Sequence, residues 1–178
     1  MEDRIVVETA RLVLRRWEDG DAALAAPIYA KPEVMRYIPS GAWDGQRTAR
    51  IVTRMRELEK EQGFGFYPVV FKASGAIIGH AGLGNLEAGA EIELAYVLDQ
   101  PYWGKGLATE AARAILRHGF AATGLERIVA VAFPENERSV AVMRRCGMTP
   151  LGRAWHFGRE VVKYEACRPA TKVARGDS

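Results

Sequence analysis

Gly104 and Gly106 stand one residue apart, after a strand-like run from Ile92 to Leu98 and directly before a helix-like pattern that opens at Leu107. Glycine permits backbone turns that a Cβ would block, and its bare amide can come close to a ligand. The first N–H groups of the following helix lack carbonyl partners and carry the positive end of its dipole. This arrangement suits a phosphate or pyrophosphate. Just upstream, Glu91 and Glu93 lie two residues apart. Period-two alternation puts both on one face of a strand unless a bulge intervenes. A carboxylate there is able to accept a proton directly or through a water, although carboxylates on exposed strand faces are usually just solvated.

The elements that must position these groups follow from the patterning. Leu12-Val13-Leu14 reads as a first strand, and Asp19 to Tyr29 as a helix with Asp19 or Asp21 as N-cap. Pro27 and Pro32 break the next stretch into short helical pieces ending near Tyr37, and Asp44 to Gln62 reads as a long polar helix stopped by Gly63. Phe66–Phe71, Ala76–Leu83 and Glu91–Leu98 form an antiparallel meander with turns at Ser74-Gly75 and Glu87 to Ala90. A helix from Leu107 to about Phe120 leads to a strand from Arg127 to Phe133, a helix from Glu137 to Cys146, and strands around Thr149–His156 and Glu160–Ala166. The expected fold class is α+β: one mixed, mostly antiparallel sheet of about seven strands, flanked by helices. Its parallel pair brackets the Leu107 helix as a crossover. Residues 1–168 are expected to form one domain, with 169–178 as a loose tail.

Composition narrows the function. The chain has 178 residues, 48% of them hydrophobic, enough for a core without metal or disulfide support. A net charge of +3 spread along the chain gives no footprint for nucleic acid. Cys146 and Cys167 form no CxxC and have no neighbouring histidines, so reduced thiols are expected and no metal site. Nor does either cysteine fall at the glycine turn, which argues against a covalent enzyme intermediate. Met1-Glu2-Asp3-Arg4 has no apolar leader and no run approaches a membrane span, so a cytoplasmic, membrane-independent protein is expected. His80 reads as a satisfied histidine within an apolar strand, and His118 and His156 carry no further signal.

Three segments together resemble the GCN5-related N-acetyltransferases, in particular the RimJ/RimL-like branch that acetylates protein N-termini or small amines. They are Thr9-Ala10-Arg11-Leu12-Val13-Leu14-Arg15, then Trp103-Gly104-Lys105-Gly106-Leu107-Ala108-Thr109-Glu110-Ala111, and finally Asn136-Glu137-Arg138-Ser139 followed by Gly147-Met148. The resemblance implies acetyl-CoA as cofactor, held in a cleft where two parallel strands splay apart. Amides of Trp103, Gly104, Lys105, Gly106, Leu107 and Ala108 would cradle the pyrophosphate, with Thr109 as a hydroxyl contact. The backbone after Glu93, through Tyr96, Val97 and Leu98, would pair with pantetheine, and an N–H near Tyr96 or Val97 would polarise the thioester carbonyl. Asn136, Ser139 and Met143 would lie beside the pantetheine and sulfur. Lys105 reads equally as a phosphate contact or a solvated lysine, and Trp103 as packing under the loop.

Two positions depart from the wider superfamily. Pro101 stands where Gln or Arg is usual, so it shapes the turn without donating a hydrogen bond. Met143 stands seven residues after Asn136, where many relatives carry the tyrosine that protonates departing thiolate, and methionine has no proton to donate. Ser139, on the same helix face, is the candidate replacement, directly or through a water. Glu93, nearer the expected carbonyl than Glu91, is the candidate base. The acceptor is expected to be a peptide N-terminal α-amine or a small amine, since no acidic cluster argues for a polycation. Met35, Tyr37, Trp43 and the Trp155-His156-Phe157 turn would line its slot, though core packing explains them equally well. A catalytically idle acyl-CoA-binding sensor is the alternative, and the chain is expected as a monomer or homodimer. A dinucleotide-binding fold fits poorly, because Thr109 stands where the third glycine belongs.

Overall fold

In a computed structural model of the chain, residues 4–87 and 89–169 are described. The expected tail, Pro169 apart, and the first three residues lie outside them. The sheet is built from β1 (Ile5–Glu8), β2 (Leu12–Arg15), β3 (Phe66–Phe71), β4 (Ala76–Asn85), β5 (Ile92–Leu98), β6 (Arg127–Ala132), β7 (Thr149–His156) and β8 (Arg159–Cys167). Its order is β1-β2-β3-β4-β5-β6-β8-β7. All neighbours are antiparallel except β5 and β6. The sequence predicts about seven strands, and the structure has eight among the described residues. The additional one, β1, is an edge strand with no fully buried residue, and it is defined by its pairing with β2.

Among the described residues five α-helices complete the fold: α1 (Asp21–Tyr29), α2 (Pro32–Met35), α3 (Gly45–Gln62), α4 (Leu107–Ala122) and α5 (Glu137–Arg145). Asp44 caps α3 by accepting from the Arg47 N–H, and Gly63 closes it in the left-handed conformation. At α1 the cap is Gly20 rather than an aspartate, and Pro27 lies inside the helix instead of ending it. The Asp21 carboxylate turns inward to Arg15 at 2.5 and 2.9 Å and accepts from the Glu18 N–H at 2.8 Å. Burial opposes its ionisation, but the Arg15 guanidinium and the Glu18 N–H together outweigh this and hold it below the usual carboxylate range.

Two apolar clusters flank β5. Leu94 and Leu98 pack with α4 and α5 residues such as Leu107, Ile115 and Val142. Val97 packs the other way, with Trp17, Tyr29, Met35 and Trp43 from the first part of the chain. The unbroken register of β5 against β4 keeps this alternation regular, so Glu93 shares the face of Val97 and Tyr96 the opposite one. No helix among the described residues is long and apolar enough to cross a membrane.

Candidate active site

The parallel strands β5 and β6 pair at a single point, Glu93 opposite Val129. Beyond it, β5 stays on β4 as far as Leu98 and β6 stays on β8 as far as Ala132. Two strand edges are thereby left facing each other across a cleft of about 870 Å³, within the size range of small-molecule sites. Tyr96, Val97, Leu98, Trp103, Gly104, Gly106, Leu107, Ala108, Thr109, Asn136 and Ser139 all line it. Three other residues singled out from sequence do not: Glu93 sits at the apex of the splay, the Lys105 ammonium lies 5.7 Å from the Tyr102 ring centroid, and Met143 is 1% exposed in the core behind the wall.

At the wide end lies the glycine turn. Gly104 and Gly106 have φ of 72° and 77°, a region strained for residues with a Cβ. A Cβ on Gly104 would meet nothing within 4 Å, and one on Gly106 only the Arg11 guanidinium at 3.6 Å. Glycine is therefore needed for the turn itself rather than for room. Gly106 caps α4, whose first internally bonded amide is that of Glu110, donating to Gly106 O at 3.0 Å. Among the described residues the amides of 104–109 donate to no protein group. The Thr109 hydroxyl is buried without a hydrogen-bond partner, an arrangement buried polar groups rarely show unless a ligand or water completes it.

Long-range contacts hold the turn. Arg11 donates through its backbone N–H and Nε to the Glu110 carboxylate at 2.9 and 2.7 Å, and through a guanidinium nitrogen to Lys105 O at 2.9 Å. Thr9 Oγ1 donates to the same carboxylate at 2.6 Å. Asp99 accepts from Lys31 at 2.6 and 2.9 Å, tying α2 to the start of the turn. Trp103 packs beneath, its indole N–H donating to Leu98 O at 2.7 Å. These support residues were missed in the sequence reading. Their signal was partly present, since Thr9, Arg11 and Glu110 all fall inside the quoted segments.

The two carboxylates part ways. Glu91 lies just before β5, paired with Lys163 and with Arg127. Hydrogen bonding to Lys163, against partial desolvation, holds it below the usual carboxylate range. Glu93 is half-buried, and its carboxylate has no hydrogen-bond partner among the described residues. Desolvation first, and the nearby Glu87 charge second, push its pKa up to about 7. Glu87 is itself fixed by the Phe157 N–H and by His156 Nδ1, both at 2.9 Å. That contact joins the β4–β5 loop to the β7–β8 turn.

On the other face of β5, the Tyr96 hydroxyl lies 2.9 Å from Ser139 Oγ and 3.4 Å from Ser139 O. Asn136 caps α5, its Oδ1 accepting from the Ser139 N–H at 3.3 Å, which presents the first turn of the helix to the cleft. The expected slot residues divide. Tyr37 and Phe157 line the cleft, and Tyr37 Oη reaches Glu135 O at 3.2 Å. Met35 and Trp43 are core, while Trp155 is 71% exposed. His80 is buried, bonded through Nδ1 to the Tyr29 hydroxyl at 2.7 Å, and desolvation lowers its pKa to about 4. No cluster among the described residues could hold a metal ion.

A splayed mixed sheet opens onto a glycine-capped helix that suits a phosphorylated ligand, and comparison with known proteins is specific. Residues 11–149 match the acetyltransferase (GNAT) domain family. The chain is 32% identical over 142 residues to the uncharacterized N-acetyltransferase YnaD of Bacillus subtilis, spanning 80% of this chain and 81% of that protein. It is 32% identical over 165 residues to the Escherichia coli [ribosomal protein uS5]-alanine N-acetyltransferase, spanning 85% and 81%. A GNAT-family acetyltransferase structure from Bacillus anthracis superposes with a TM-score of 0.79 at 27% identity, covering 91% of this chain and 98% of that one. The chain belongs to the GNAT acetyltransferase family and is an acetyltransferase.

Proposed function

We propose that the protein transfers the acetyl group of acetyl-CoA to a primary amine, a peptide N-terminal α-amine or a small amine, directly within a ternary complex. The observation that carries this reading is the opening of β5 and β6 beyond Glu93, which leaves two strand edges facing one cleft. Acetyl-CoA use is a property of the family, and this chain's residues fit the cofactor. The unpaired amides of 104–109 and the unpartnered Thr109 hydroxyl suit its pyrophosphate. The exposed edge of Tyr96, Val97 and Leu98 suits its amide-bearing arm. When bound, acetyl-CoA supplies an activated acyl carbon with thiolate as leaving group.

The residues then divide the work. Glu93, at the apex of the cleft and with a pKa near 7, takes through a water the proton released by the amine nitrogen as it bonds to the acyl carbon. A backbone N–H near Tyr96 or Val97 stabilises the charge that develops on the acyl oxygen. Ser139 donates a hydrogen bond to the sulfur as the C–S electron pair leaves with it. Glu91, neutralised by Lys163 and Arg127, takes no part. A peptide α-amine has an ordinary pKa of about 7.7–8.0 and is partly neutral at neutral pH, so a base of this strength suffices; a lysine amine near 10.4 demands more.

The test is a panel of short peptides differing in their first residue, assayed beside small amines and N-blocked peptides. Acetylation confined to free α-amines or small amines is expected, with intersecting double-reciprocal plots. Parallel plots would remove the ternary complex from the reading.

A further inference from the structure

Met143 has no proton to donate and is buried behind the cleft wall, whereas β5 brings a phenol against Ser139 in the cleft itself. Tyr96 on β5 and Ser139 on the first turn of α5 both line the cleft, and their hydroxyl oxygens are 2.9 Å apart. We propose that Tyr96 is a positioning residue for Ser139: its phenol donates to Ser139 Oγ and leaves the serine O–H to point at the sulfur end of acetyl-CoA. This rests on the reading of Ser139 given above.

The pair holds two hydroxyl protons and has two arrangements. In one, Ser139 donates to Tyr96 while the phenol donates to Ser139 O, at 3.4 Å a poor hydrogen bond. In the other, the phenol donates to Ser139 Oγ across 2.9 Å and the serine proton is available to a ligand. Negative charge growing on sulfur selects the second, because a hydrogen bond to an anion is about twice as strong as a neutral one. The second donor polarises the first, so both tighten together. Burial raises the phenol pKa to about 12, whereas an ordinary thiol lies near 8.5. A full proton relay out of Tyr96 would leave a buried phenolate to neutralise a weaker base, and is disfavoured. No proton therefore leaves Tyr96. The amine proton passes to Glu93 and on to water, the C–N bond forms as the C–S bond breaks, and sulfur takes its proton from water after departure.

The experiment is a titration of the thiol of bound CoA, followed by thiolate absorbance, in the parent protein, Tyr96→Phe, Ser139→Ala and the double variant. Binding of desulfo-CoA confirms an intact site in each, and kcat is measured alongside. The bound thiol pKa is expected to lie below that of free CoA and to rise in Ser139→Ala. It should rise in Tyr96→Phe by part of that amount, with kcat down roughly tenfold and desulfo-CoA affinity kept. The double variant should match Ser139→Ala, since one residue acts through the other. A fluorotyrosine at position 96, a stronger donor, should shift the thiol pKa in the opposite direction; that measurement decides the matter if Tyr96→Phe fails to fold. A thiol pKa unmoved by either change at position 96, beside one moved by Ser139→Ala, overturns the role of Tyr96 alone. No shift in Ser139→Ala overturns the role of Ser139 and this proposal with it.

Discussion

Glu91 and Glu93 are two residues apart in sequence and differ in charge state near neutral pH. Lys163 and Arg127 neutralise the first, while desolvation keeps the second partly protonated. As the base, Glu93 must be ionised, so kcat is expected to rise with pH through a midpoint near 7. Glu93→Gln should lower kcat by about 100-fold or more and leave CoA affinity intact. Glu87→Gln removes a like charge and should move the kinetic midpoint below that of the parent, measured on the same peptide acceptor. The sign for stability is opposite to that for activity. A carboxyl whose folded pKa exceeds its unfolded value favours the fold at low pH, and that contribution disappears as pH rises through the folded pKa. Thermal unfolding of Glu93→Gln should therefore exceed the parent at about pH 8 and match it at about pH 4. Spacing alone pointed to both glutamates. Which one is free of partners depends on Arg127 and Lys163, which local sequence cannot bring to mind.

At the scale of elements, the turn before α4 was legible because its determinants are local: two glycines, a strand before them and helical periodicity after. The structure adds that both glycines serve φ rather than close approach. Gly106→Ala should thus strain the backbone by about 1–2 kcal/mol and weaken CoA binding about tenfold, read by calorimetry, with no clash to relieve. Arg11→Ala should raise the KM for acetyl-CoA with kcat nearly unchanged, since Arg11 braces the loop through Glu110 and Lys105 O without lining the cleft. That brace joins residues 99 and 94 positions apart, and the Tyr96–Ser139 contact spans 43. Contacts at such separations leave no periodic trace. β1 is an edge strand with no fully buried residue, defined by its pairing with β2 rather than by its own pattern. Met143 falls behind the cleft wall, and helix spacing gives a face but not its depth.

Across the whole molecule, the two parts of the sheet meet at β5 and β6 through one parallel pair. A ligand that bridges the splay binds the folded chain alone, and so stabilises it by mass action. CoA at 100 times its Kd should add about 2.7 kcal/mol, or roughly 5–10 °C in Tm for a chain of this size, with a smaller shift in Gly106→Ala at the same concentration. Such a shift would demonstrate binding without demonstrating chemistry. The decisive measurement combines thiol release from acetyl-CoA with mass spectrometry of the acceptor, for the purified protein and for Glu93→Gln. One thiol released per acetyl group gained by a peptide α-amine or small amine, with both signals lost together in Glu93→Gln, is the expected result. CoA bound tightly, with no acetylated product on any amine tested, would contradict the proposal.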